Sequence, residues 1–367
     1  MKIAIIAHLK YPISDPFQGG LEMHTHLIAR HLIARGHEVT LHASEGSDPA
    51  LGLCPVGPPT GTPRDDREEH AIALAEAAAY AEILRRIAAG GAPGSSPGGC
   101  DLVLNNSLHY LPLLEAHRIP APMVTAFHCP PFHELENGVA ERSRRDLRFV
   151  AVSGVVRGMW ERFVAVDEVI PNGIDLDLFA ARLAPGGGRH AIWSGRLVPE
   201  KGPHLAIAAA RLAGVPLRIA GPRSDPAYWA GRIAPALGDG IEYVGHLDHR
   251  SLAREVAEAA VAVVTPCWEE PYGLVVAEAL ACGTPVAGFA RGALPDLTDA
   301  ATGRLAPADD LDALARAIRE AMTLSRPACR ARAEAMCDAQ VMMDRYEALF
   351  RAEIDRHARS RASVATA

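Results

Sequence analysis

The chain predicts an α/β protein of two doubly wound parallel-sheet domains facing a cleft, and three observations carry that expectation. At 367 residues it exceeds the size at which one hydrophobic core usually keeps growing. Short apolar runs recur with helical stretches between them, the pattern of strands buried on both faces and joined by right-handed crossovers. That series then stops at a segment rich in Pro, Gly and Asn, and begins again.

In chain order, "KIAIIA" (2–7), "EVTLHA" (38–43), "DLVLN" (101–105), "PMVTAF" (122–127) and "FVAV" (149–152) are the strands expected of a first domain over 1–168. The interruption at 169–189 is expected to be a linker. "HAIWS" (190–194), "PLRIA" (216–220), "IEYV" (241–244), "VAVVT" (261–265) and "PVAGF" (285–289) then build a second domain over 190–340. The stretch 341–357 has helical periodicity and is expected to return to the first domain, and 358–367 reads as a frayed tail. Two Gly/Pro-rich segments, 47–66 and 88–100, read as irregular surface loops.

Composition narrows the function. A net charge of −7 argues against a general nucleic-acid binder, whose nonspecific affinity comes from excess Lys and Arg. The seven cysteines include no CxxC spacing, and the apolar start "MKIAIIAHL" is too short for a secretory or membrane segment. The expectation is a cytoplasmic protein with reduced thiols, no disulfide framework and no metal site.

The densest chemistry lies in "CWEEPYGLVVAEALACGTPVAG" (267–288). A strand ends near Val264, a turn follows, and "LVVAEALAC" reads as a helix whose amino end is open at the strand's carboxyl edge. The amides of Gly273, Leu274 and Val275 would face an anion there, because helix starts carry unpaired N–H groups and the positive end of the dipole. Glu278 falls roughly 7–8 Å further along at 1.5 Å per residue. A retaining glycosidase needs its carboxyl groups about 5–5.5 Å apart, so Glu270 and Glu278 read as separate grips on one extended ligand. Carboxylates accept from hydroxyls, which suits Glu278 to a ribose diol and Glu270 to a sugar; the plainer alternative is two solvated acids.

Other stretches add to this. "WSGRLVPEKG" (193–202) carries Arg196 and Lys201 in a loop after a strand, a planar fork and a point charge able to balance two phosphates, or else ordinary surface cations. Gly19 and Gly20 precede a helix without forming GxGxxG; they allow close backbone approach to a ligand, or a plain turn. Glu22, His24 and His26 read first as partly buried helix residues. His128 ends a strand and faces the cleft, while Cys129 reads as structural. Arg142, Arg144, Arg145 and Arg148 form a basic face, either a weak peripheral membrane contact or a solvated helix.

Taken together, "SGRLVPEKG", "EEPYGLVVAEALACGTPV", "GGLE", "FH", "VIPNGID" and "ARGALPD" resemble the motifs of the family 4 retaining glycosyltransferases, whose GT-B fold pairs two Rossmann-like domains. The resemblance covers nearly the whole chain. It implies Arg196 and Lys201 on the donor diphosphate, Glu278 on the nucleotide ribose, and Glu270 on the transferred sugar. Gly273, Leu274 and Val275 complete that cradle, with Gly19 and Gly20 approaching the phosphates and His128 as the cleft histidine. Asn172 and Gly173 fall in the linker motif. Catalysis would then rest on Glu270, His128, Arg196 and Lys201.

Two positions depart from the family pattern: Pro271 replaces a common glycine, and Arg291 precedes Gly292 where a glycine pair is frequent. Both bear on the shape of the sugar pocket. The implied reaction moves a hexosyl group from a nucleoside diphosphate sugar, UDP by family frequency, to an acceptor hydroxyl with retention. No metal and no cofactor is implied, the nucleotide sugar being a co-substrate. The rivals are a nucleotide-sugar epimerase or hydrolase on the same fold, and a non-catalytic nucleotide-sugar-binding protein. A dinucleotide-linked oxidoreductase is weakened by the absent glycine fingerprint. The motifs name no acceptor and no oligomeric state.

Overall fold

The computed structural model describes residues 1–90, 99–183 and 188–365. The chain divides into two compact units, Met1–Ile170 with Met343–Ala367, and Pro171–Met342. Most of the segment expected to be a linker, from Pro171 on, is therefore part of the second unit; its residues 184–187 lie outside the described residues, as do 91–98 of the expected surface loop and 366–367 of the expected tail.

The first unit is built on a seven-stranded parallel sheet. Its strands are β1 (Lys2–Ala7), β2 (Glu38–Ala43), β3 (Leu53–Pro55), β4 (Leu102–Asn106), β5 (Met123–Phe127), β6 (Arg148–Ala151) and β7 (Glu168–Val169), in the order β3-β2-β1-β4-β5-β6-β7. Ile3, Ile5 and Ile6 of β1 are fully buried, as a central strand with helices on both faces requires. β1 pairs with β2 on one side and β4 on the other, and the chain reverses its direction of travel across the sheet there. Such a switch point opens a crevice at the strands' carboxyl ends.

The second unit repeats the plan with six strands: β8 (Ala191–Ser194), β9 (Leu217–Ala220), β10 (Ile241–Gly245), β11 (Val261–Val264), β12 (Val286–Phe289) and β13 (Gly303–Ala306). Their order is β10-β9-β8-β11-β12-β13, so the switch lies between β8 and β11, where Ala191 pairs with Val261 and Ile192 with Ala262. The GT-B architecture expected from the motifs is the one found.

Two expectations need correction. The 47–66 segment is not wholly irregular: it holds the turn Pro49–Leu51 and the edge strand β3, whose Pro55 is tolerated because an edge strand can spare an N–H. The expected frayed tail is helical through Ala365, continuing the helix that starts at Ala339.

The arginines expected to form a basic face are mostly spent inside the first unit. Arg144 donates to the carbonyls of Ile119 and Ala121 and pairs with Asp146; Arg148 pairs with Asp167 and Glu353; Arg142 donates to Val139 O. A face so neutralised offers little to an anionic surface. Among the described residues, no helix is long and apolar enough to cross a membrane. All seven cysteines are free.

Candidate functional site

The Arg196–Lys201 and Glu270–Glu278 motifs lie at the switch point of the second unit. Lys201 ends a short turn after β8, and Glu270 lies in the loop after β11, 69 positions later. Three bonds stitch those loops together. Thr265 Oγ1 accepts from Trp193 Nε1 (3.1 Å) and donates to Gly202 O (2.8 Å), while Cys267 N–H donates to Glu200 O (2.8 Å). Gly202, at φ +66°, turns the chain where a Cβ would overlap the Thr265 carbonyl, so only glycine lets the loops approach this closely.

The stitching brings Lys201 Nζ to 2.7 Å from Glu270 Oε2. Trp268 holds both partners: its indole N–H donates to the same Oε2 at 3.0 Å, and the Lys201 ammonium lies 4.7 Å from its ring centroid. Cation–π attraction and a charge-assisted hydrogen bond thus fix the ion pair in one place. Oε1 of Glu270 has no hydrogen-bond partner among the described residues, which leaves an acceptor for a hydroxyl. Trp268 was not among the residues the motifs singled out, because nothing in its sequence position tells that its ring will lie under Lys201.

Gly292 clamps the loop from the far side. It sits at φ +58°, packed against the backbone of Glu270; its N–H donates to Glu269 Oε2 (2.8 Å), and Ala293 N–H donates to Glu270 O (2.9 Å). The linker motif supports the same loop from below, since Tyr272 OH donates to Asn172 O at 2.7 Å. Gly173 packs on Ala339, where a side chain would not fit. Among the described residues Arg196 has only a loose pairing with Glu200, 3.7 Å apart, and Arg291 is drawn off to Asp309.

Past this loop the helix Leu274–Ala281 begins at Gly273, which has φ +94° and no side-chain cap. The amides of Gly273, Leu274 and Val275 have no carbonyl partner among the described residues, the first helical bonds being those of Val276 and Ala277 to Gly273 O. Four or so orphan donors are normal at a helix start; here they stand beside Lys201's partner loop. Glu278 is buried on this helix, 5% exposed, and makes no side-chain hydrogen bond among the described residues. Burial pushes its carboxyl up to about 7.

A carboxyl raised in the folded state binds more protons than in the unfolded chain, so its ionisation lowers stability as pH climbs from about 4.5 to about 7. A ligand hydroxyl that donates to the carboxylate reverses the preference. If Glu278 meets the nucleotide ribose, as the resemblance implies, nucleotide affinity is expected to rise several-fold from pH 6 to pH 8, with proton release on binding, and Glu278→Gln to flatten the trend. Calorimetry in buffers of different ionisation enthalpy checks this; equal slopes for both proteins would remove Glu278 from the site.

In the first unit, residues gather at the ends of β1, β4 and β5. The helix Gly20–Ala34 starts at Gly19, extended and without a side-chain cap. Its first turn carries Glu22, buried, which accepts from His8 Nε2 at 2.8 Å. His8 Nδ1 accepts from Lys10 N–H (3.1 Å), which fixes that tautomer. His128 Nε2 donates to Asn106 Oδ1 at 3.1 Å, leaving Nδ1 as the acceptor. Burial, then the neighbouring His24 and His8, hold His128 well below the usual histidine range, so it is a neutral ring near pH 7.

His24 lies edge-on to His128, centroids 4.8 Å apart, with both ring nitrogens buried and unbonded and its basicity lowered to about 3 by burial. His26 pairs instead with Asp48 (3.2 Å), outside this cluster. Cys129 is pushed up to about 12 by burial, consistent with an inert thiol. The sequence missed His8, whose role depends on Glu22, fourteen positions away.

The family described as "Glycosyltransferase Family 4" matches residues 18–178 and "Glycosyl transferases group 1" matches 188–323. A D-inositol 3-phosphate glycosyltransferase of Mycolicibacterium paratuberculosis is 28% identical over 388 aligned positions, covering 91% of this chain and 85% of that protein. One from Mycobacterium bovis is 35% identical over 174, covering 43% of this chain and 36% of its own length. Among solved structures, sucrose-phosphate synthase from Thermosynechococcus elongatus superposes with TM-score 0.76 at 23% identity, covering 95% of this chain and 98% of that one. An Anabaena protein, HepE, solved with UDP-glucose, gives 0.71 at 18%, covering 95% and 99%.

The two parallel-sheet units thus share the GT-B fold. The chain belongs to the family 4, group 1 glycosyltransferases.

Proposed function

We propose that the protein transfers a hexosyl group from a nucleoside diphosphate sugar, UDP-linked, to an acceptor hydroxyl with retention at the anomeric carbon. The observation that carries this is the meeting of Lys201, Glu270 and the uncapped Gly273 helix start at one switch point. A diphosphate satisfies the amides, Arg196 and Lys201 together, and the free Oε1 of Glu270 suits a sugar hydroxyl.

In this reading the bond from the anomeric carbon to the β-phosphate oxygen breaks as the bond to the acceptor oxygen forms on the same face. The acceptor's proton passes to the departing phosphate. Charge developing on that phosphate is what Lys201, Arg196 and the helix start stabilise, the kind of electrostatic effect that is usually the largest in catalysis. The two cations do the work of a divalent metal, so EDTA should leave turnover unchanged. Neutral His128, with Gly19 and Gly20 of the first unit, is assigned to positioning. UDP is favoured because the structural relative HepE was solved with UDP-glucose. Free thiols throughout suit a reducing, cytoplasmic setting.

A thermal-shift screen of UDP-, GDP-, ADP- and dTDP-sugars tests the donor, since a ligand that binds only the folded state raises the melting temperature. Turnover is then assayed over acceptors that include D-inositol 3-phosphate, the acceptor named for the relatives. UDP-sugars should give the largest shift. A protein that no nucleotide sugar stabilises, or that hydrolyses its donor as fast without acceptor as with one, would overturn the proposal.

A further inference from the structure

We infer that Arg223 is the platform on which the donor's nucleobase stacks, an inference that rests on the donor reading above. Arg223 follows β9, and the peptide beside it touches the loop of Arg196: Leu197 N–H donates to Pro222 O at 2.9 Å, and Gly221 packs on Gly195 O. The two loops run side by side at the carboxyl edge of the sheet. A nucleotide with its diphosphate at Arg196 and Lys201 therefore has this loop within reach.

The setting of the guanidinium is built with care. Its central carbon lies 3.9 Å from the Trp229 ring centroid and 4.5 Å from that of Tyr243. The two rings, 4.7 Å apart and tilted by 60°, form a notch. Tyr243 is pinned by its hydroxyl, which donates to Gly221 O at 2.9 Å. Trp229 opens a single π-helical turn, Trp229–Ile233, a rare irregularity that recurs at functional sites. The turn before it is capped by Asp225 and tied to the helix after Lys201 through Tyr228 OH and His204 Nδ1, 2.6 Å apart.

Yet the cation so held has neither a carboxylate nor a carbonyl partner among the described residues, and it is exposed. Next to it, Ser224 Oγ is buried and unbonded. An arginine supported on one side by aromatic rings and open on the other offers a flat cationic surface, the partner that nucleobases stack on, and Ser224 adds an unused hydroxyl for a base's polar edge.

The test compares UDP with inorganic pyrophosphate, each measured by calorimetry or by competition, on wild type, Arg223→Ala and Arg223→Lys. Stacking predicts that both variants weaken UDP by about tenfold, within the range found when one stacked base is lost, while pyrophosphate changes less than about twofold. Lysine keeps the charge but not the plane, so full rescue by Arg223→Lys would show a phosphate contact and overturn the inference. So would an equal loss for both ligands, or no loss for either. Lys201→Ala should weaken both ligands. If wild type binds UDP but Arg223→Ala is silent, the platform fails and the donor reading stands; if no nucleoside diphosphate binds at all, both fall. Melting curves confirm that each variant is folded.

Discussion

Lys201→Ala is expected to lower kcat/KM by about 10²–10³-fold, the range seen when one preorganised donor to developing charge is removed. The loss should appear in UDP affinity as well as turnover, because in the proposed reading the ammonium meets the diphosphate in ground and transition states alike. Glu270→Gln should behave differently. The amide keeps the shape of the side chain and can still accept from Trp268, but it no longer attracts Lys201. Its effect should fall mainly on kcat, leaving UDP binding equal or tighter, since the lysine is released for phosphate. Steady-state kinetics with direct titration of UDP separate the two. A Lys201→Ala enzyme with normal turnover would remove the diphosphate from this pocket.

Gly292→Ala is expected to cut turnover by about 10²-fold, the scale associated with misplacing a reactive group by about 1 Å. A single methyl group there would overlap the Glu270 backbone, and the residue's φ of +58° also disfavours any side chain. Strain and collision can be told apart with Gly214→Ala, which shares a left-handed conformation (φ +70°) but meets nothing within 4 Å. That control should cost roughly 1–2 kcal/mol of stability and leave catalysis unaltered. If Gly292→Ala turns over like Gly214→Ala, the position of the Glu270 loop does not matter to the reaction.

Which parts could be read from the residues follows from the physics of each. Strands β1, β2, β4–β6, β8, β9, β11 and β12 announce themselves as apolar runs because both faces of an interior parallel strand are buried; β10, at a sheet edge, shows only through its Ile, Tyr and Val. The strands β3, β7 and β13 do not: each is short and lies at or beside a sheet edge, and "GRLA" at 303–306 or "EV" at 168–169 carries no periodic signal. At the site, Lys201, Glu270 and Glu278 stand out by motif. The contact of Lys201 with Glu270, the hold of Trp268 on both, and the His8–Glu22 pair arise from loops that the sheet order makes neighbours. Spacing along the chain carries no trace of them. The internal pairing of the basic face was hidden for the same reason, as Glu353, one partner of Arg148, lies 205 positions away.

One asymmetry between the two units reaches beyond the reaction. Pro171–Met342 is a single uninterrupted stretch, whereas the first unit is completed by the returning residues from Met343 onward. Those residues supply Glu347 to Arg35, Glu353 to Arg148 and Arg345 to Glu168, and they bury Tyr346 and Phe350. A gene fragment encoding the second unit can thus be lifted out or transplanted in one piece. Shortening the gene at the same boundary strips the first unit of its own stuffing, so recombination and truncation alike should respect one half of this molecule more readily than the other.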